Sequence, residues 1–61
     1  MIRRALIAHL RAHGCVQLRE GARHTIFHNP ANNKTAPVPR HRNIGKELAI
    51  RICRELEIPD P

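Results

Sequence analysis

The stretch EGARHTIFHNP, residues Glu20 to Pro30, decides how this chain folds. Thr25, Ile26 and Phe27 are β-branched or aromatic and suit a pleated, half-buried surface. Gly21 before them and Asn29-Pro30 after them are turn punctuation. The spacing predicts a short central strand, about Arg23 to His28, with His24 at its start. A rigid strand holds a reacting side chain in place better than a loop does. Alternation puts Arg23, Thr25 and Phe27 on one face and His24, Ile26 and His28 on the other. Phe27 is the sole Phe, and Trp and Tyr are absent. As the largest apolar side chain it assigns its face to the core, leaving His24 and His28 on the open face with Ile26 between them.

Working outward, Cys15 to Arg19 (CVQLR) reads as a strand with Val16 and Leu18 on one side. Glu20-Gly21-Ala22 is a tight connection, so the two strands form an antiparallel hairpin. Asn29 to Asn33 is turn chemistry, and Lys34 to Pro39 (KTAPVP) follows as a third strand. Pro37 and Pro39 share one parity and remove ladder donors, which only an edge strand tolerates. Residues Ile2 to His13 read as a helix with an Ile2, Leu6, Leu10 stripe, closed at Gly14. Asn43 is the expected N-cap of a last helix over Ile44 to Leu56, with Glu47 in its first turn. There the stripe is Ile44, Leu48, Ile52 and Leu56, flanked by Ala49 and Cys53, with Ile50 outside it. Two amphipathic helices need one sheet face to cover. The expected fold class is therefore α+β, an αβββα two-layer sandwich with a three-stranded antiparallel sheet and both helices on one face. Double-stranded-RNA-binding domains share that order of elements.

The 61 residues suffice for one domain with a small aliphatic core. Eleven Lys and Arg against five Asp and Glu give a net charge of +6, spread along the whole chain. Such a surface attracts polyanions, nucleic acid first among them. The sequence predicts no signal peptide and no bilayer span. Cys15 and Cys53 make no disulfide framework and read as reduced residues of a cytoplasmic protein. His9 and His13 have the spacing of a metal-binding pair on one helix face, but a single pair without further ligands does not make a zinc site.

These residues together resemble the HicA toxins, the YcfA-like family of small bacterial RNA-cleaving toxins. The resemblance rests on Leu6, Ile7, Leu10 and Gly14; on Gly21 and His24-Thr25-Ile26-Phe27; on Asn29-Pro30; on VPRHR from Val38 to Arg42; and on the Ile44 to Pro59 segment. It implies a double-stranded-RNA-binding-like fold, cleavage of mRNA as an mRNA interferase, and neutralisation by a HicB-type antitoxin in a toxin–antitoxin complex that can be of higher order. The family's catalytic histidine follows a G-S-H pattern. Here Gly21-Ala22-Arg23-His24 makes His24 the matching residue, with Arg23 in the serine's position.

RNA carries its own nucleophile, the 2′-hydroxyl, so an enzyme need only move protons and stabilise charge on the phosphate. Histidine changes charge near neutral pH and suits the first task; cationic side chains suit the second. The expectation is a metal-independent, cofactor-free endoribonuclease with His24 as general acid/base. Arg23, Arg40, Arg42 and Lys46 are the expected RNA contacts, Lys46 near a helix N-terminus. His28 and His41 are candidates for a second proton carrier. The alternative is a catalytically weak or inactive module of the same fold that binds RNA or antitoxin. A protein adaptor with no nucleic-acid role would show no salt dependence.

Overall fold

Helical periodicity at both ends of the chain and strand alternation between them are realised in order. The computed structural model, which describes residues 1–61, runs α1 (Arg3–Ala12), β1 (Val16–Glu20), β2 (His24–Asn29), β3 (Lys34–Pro39) and α2 (Lys46–Glu55). The three strands form one antiparallel sheet in the order β1-β2-β3, so β2 is central. This is the double-stranded-RNA-binding-like αβββα arrangement.

The face assignment made from Phe27 holds. Thr25, Phe27 and Asn29 are buried, together with Ala36 and Val38 of β3. Phe27, Ala36 and Val38 meet Leu6 and Leu10 of α1 and Ala49, Ile52 and Cys53 of α2 in one hydrophobic core. Each of the larger ones, Leu, Ile, Val or Phe, contributes about 1.5–3 kcal/mol when fully removed from water. Arg11 closes the layer from above, its guanidinium carbon 5.7 Å from the Phe27 ring centre. Cys15 and Cys53 are buried free thiols.

Both helices end alike. After α1, Gly14 takes φ +87°, its N–H donates to Arg11 O at 3.0 Å, and the Cys15 N–H donates to Leu10 O at 3.0 Å. After α2, Glu57 takes φ +57°, its N–H donates to Arg54 O at 3.1 Å, and the Ile58 N–H donates to Cys53 O at 3.0 Å. Each is a Schellman termination that satisfies carbonyls the helix leaves open.

Four expectations need correction. Asn43 does not cap α2: Gly45 precedes the helix, with no side-chain cap bond. Asn43 pairs instead with Ile2 in a short antiparallel bridge, where Arg3 N–H donates to Arg42 O and Ile44 N–H to Met1 O, both at 2.7 Å. That bridge holds the backbone extended, so the helix starts two residues later than Ile44. Ile2, for the same reason, leaves the α1 stripe and is 45% exposed. Arg23 lies in the β1–β2 turn rather than on the core face, because the Gly21 N–H donates to His24 O at 2.7 Å and leaves Ala22 and Arg23 as the loop. Finally, β1 is exposed throughout, and a bulge between Gln17 and Arg19 breaks its alternation at Leu18.

β3 is an outer strand, as its prolines required. Pro37 stands opposite Ile26, and Pro39 opposite His24.

Candidate active site at the start of the central strand

His24 opens β2, and its side chain is exposed on the sheet face away from the helices. Its ring makes no hydrogen bond within the protein, whereas its backbone is held from three sides. Pro39 is its cross-strand neighbour. Its carbonyl accepts the Gly21 N–H at 2.7 Å and a guanidinium N–H of Arg40 at 3.4 Å. Gly21 suits this turn: a Cβ there would lie 3.1 Å from the His24 carbonyl oxygen, which would have to give by a few tenths of an ångström.

Arg40 fastens the turn. Its guanidinium donates to Ala22 O at 3.0 Å and to Gly21 O, and pairs with the Glu20 carboxylate at 3.5 Å. Arg3 fastens the next layer, its Nε donating to Pro39 O at 2.9 Å and its Nη2 to the Thr25 hydroxyl at 2.9 Å. The Thr25 hydroxyl, with the Arg40 and Arg3 charges beyond it, holds the Glu20 carboxyl below the usual carboxylate range. The imidazole is thus the free member of a braced cluster. Arg3, Thr25 and Glu20 were not singled out from sequence. Glu20 and Thr25 are cross-strand partners and follow from the hairpin once its register is known. Arg3 comes from another element and carries no local signal.

The remaining predicted residues divide by location. Arg23 is exposed in the turn beside His24. His41 and Arg42 are exposed just after Pro39, at the same end of the sheet. Neither side chain is bonded within the protein. Arg40 is gathered there too, but its donors are occupied. His28 is four residues along an extended strand, about 13 Å away, with Nε2 3.2 Å from Asn33 Oδ1. It does not reach a group held at His24. Lys46, the first residue of α2, opens onto a separate depression with Met1, Ala49, Ile50, Asp60 and Pro61.

His9 and His13 lie with ring centres 4.6 Å apart, and His9 Nε2 is 2.8 Å from Pro59 O. No group of three or more His, Cys, Asp or Glu side chains is arranged to hold a metal ion. No helix is long and apolar enough to cross a membrane.

One end of the αβββα sheet thus presents an exposed histidine among several cationic side chains. The sequence model of one family, described as the HicA toxin of bacterial toxin–antitoxin systems, matches residues 3–58. The chain belongs to the HicA toxin family, which gives it a toxin's role with a toxin–antitoxin partner. Nothing among curated proteins or solved structures matches it.

Proposed function

We propose that this chain is a single-domain mRNA interferase, a metal-independent endoribonuclease in which His24 moves the proton, held in check in the cytoplasm by a HicB-type antitoxin. The observation that carries this reading is the exposed, unpartnered imidazole on a backbone fixed by Gly21, Pro39 and Arg40. A fixed base beside a bound ribose removes much of the orientational cost of proton transfer. In the proposed reaction the 2′-hydroxyl attacks the adjacent phosphorus and the bond to the 5′ oxygen breaks. His24 takes the hydroxyl proton or supplies the one the leaving oxygen needs. His41 is the better second carrier, since it sits at the His24 end of the sheet while His28 is a strand's length away. Arg23 and Arg42 face the phosphates and stabilise the developing charge. Arg40 acts as a positioning residue for the turn.

The test is His24→Ala. Cleavage of single-stranded RNA and growth inhibition are both lost, with the melting temperature unchanged. A folded His24→Ala protein that cleaves at the normal rate overturns the reading. Arg23, standing where the family has serine, favours a second reading: a weak or inactive toxin that still binds antitoxin. Absent cleavage with intact antitoxin binding is its signature.

A further inference from the structure

Between the start of α1 and the segment after β3 lies an open groove of about 430 Å³, lined by Ile2, Arg3, Arg4, Ile7 and Arg42. No carboxylate lines it. The protein's three ion pairs are Lys34 with Glu57, Arg40 with Glu20 and Arg54 with Asp60, so Arg4 and Arg42 are unpaired. Arg3, by contrast, is turned onto Pro39 and Thr25. Three like charges converge on one concave surface and repel one another until an anion fills it. The two isoleucines give the groove an apolar floor. Arg3 ties the groove to the catalytic end: the Pro39 carbonyl it holds belongs to the residue opposite His24, and neighbouring strands stand only about 4.8 Å apart.

We propose that this groove is a second RNA subsite, binding one phosphodiester of the strand between Arg4 and Arg42 while the ribose or base of that nucleotide rests on Ile2 and Ile7. The proposal rests on the reading of the chain as RNA-cleaving, and it extends the RNA path from the open sheet face onto the helix layer. An acidic protein segment is the competing occupant. RNA is favoured because cationic and apolar side chains line the groove together, which suits a strand that carries both phosphate and nucleoside.

The probe is a fluorescent dodecamer of 2′-O-methyl RNA, which has no 2′-hydroxyl to react, so binding is read apart from cleavage. Its affinity for the unaltered chain and for the Arg4→Gln, Arg4→Lys, Arg42→Gln and Arg51→Gln variants is measured across a salt series. Arg51, on the exposed side of α2, controls for lost net charge. Arg4→Gln weakens binding by roughly threefold or more and makes the salt slope shallower by about 0.7, the value for one single-strand phosphate contact. Arg42→Gln does the same, Arg4→Lys retains the slope, and Arg51→Gln stays near the unaltered chain. On cleavable RNA, Arg4→Gln raises KM and leaves kcat unchanged, whereas His24→Ala removes kcat; the two readings therefore fail separately. If Arg4→Gln and Arg51→Gln weaken binding equally, or if the unaltered chain does not bind the probe, the subsite is refuted. It is also refuted if Arg4→Gln keeps its RNA affinity but loses binding to a deca-glutamate peptide, which would assign the groove to an acidic protein. Should Arg4→Gln fail to fold, Arg4→Ser takes its place with the same readouts.

Discussion

The guanidinium of Arg40 donates to the Ala22 carbonyl at 3.0 Å, joining residues eighteen apart in sequence. The same group serves Gly21, His24 and Glu20, so one side chain from the end of β3 sets the shape of the turn that presents the histidine. Arg40→Ala is expected to reduce kcat on RNA by about tenfold to a hundredfold through misplacement. RNA affinity falls less, because the donors lost were already committed inside the protein. Arg40→Lys does not restore the rate, since one ammonium cannot reproduce a planar fork across several carbonyls. Faster hydrogen exchange at the Gly21 amide in either variant, beside the cleavage rates, checks the cause.

At the far end of β2, the buried Asn29 donates its side-chain amide to Leu56 O at 2.8 Å and accepts the Ala31 N–H at 3.1 Å. Asn32 also reaches Leu56 O, at 3.1 Å. This pins the β2–β3 turn to the end of α2. Asn29→Ala is expected to cost about 2 kcal/mol, which for a chain of this size lowers the melting temperature by about 10 °C. Asn29→Asp costs more, because an acceptor then faces the Leu56 carbonyl. Chemical denaturation of both variants measures the difference.

The matched helix ends give predictions of opposite sign. Gly14 has open space around the position a Cβ would take, so Gly14→Ala incurs only the left-handed backbone cost, about 1 kcal/mol. Glu57 already bears that cost at φ +57°. Its 3.8 Å pair with Lys34 is exposed on both sides and offsets little. Glu57→Gly is therefore expected to stabilise the fold by about 0.5–1 kcal/mol, and a gain in denaturant midpoint at unchanged slope would establish it.

The pH dependence has a defined sign at each limb. Folding lowers the Glu20 pKa through the Thr25 hydroxyl and the Arg40 charge. Its stabilising contribution is present above the ordinary carboxylate range and is lost as pH falls through its own lowered value. Burial raises both thiol pKa values, Cys53 further through Asp60 and Cys15. The unfolded chain ionises those thiols first, so stability drops as pH rises above about 8.5. Melting temperature against pH checks both: Glu20→Gln flattens the acid limb, and Cys53→Ala makes the alkaline limb shallower.

What could be read from the chain was whatever depends on neighbours in sequence. One aromatic residue, Phe27, was enough to orient β2 and place His24 outside the core, because strand parity is strict. Pro37 and Pro39 placed β3 at an edge because a missing donor cannot be hidden in a ladder. The errors came where distant segments meet. Asn43 has every local quality of a cap, but the Ile2–Asn43 bridge takes its backbone. Nothing local to Arg40 signals that its guanidinium also holds the turn carbonyls eighteen residues away. Asn29 reads as turn chemistry, and its burial against α2 depends on where a helix twenty-seven residues later ends.

The prolines of β3 have one more effect. On an outer strand such residues direct their missing donor away from the sheet, so that border offers a stranger's backbone little to hold. β1, at the opposite border, contains no proline. Endless stacking of sheet upon sheet requires two receptive margins, and this molecule has one. Strand addition between copies would close as a pair and stop there, which guards a small, strongly cationic protein against growing into fibres.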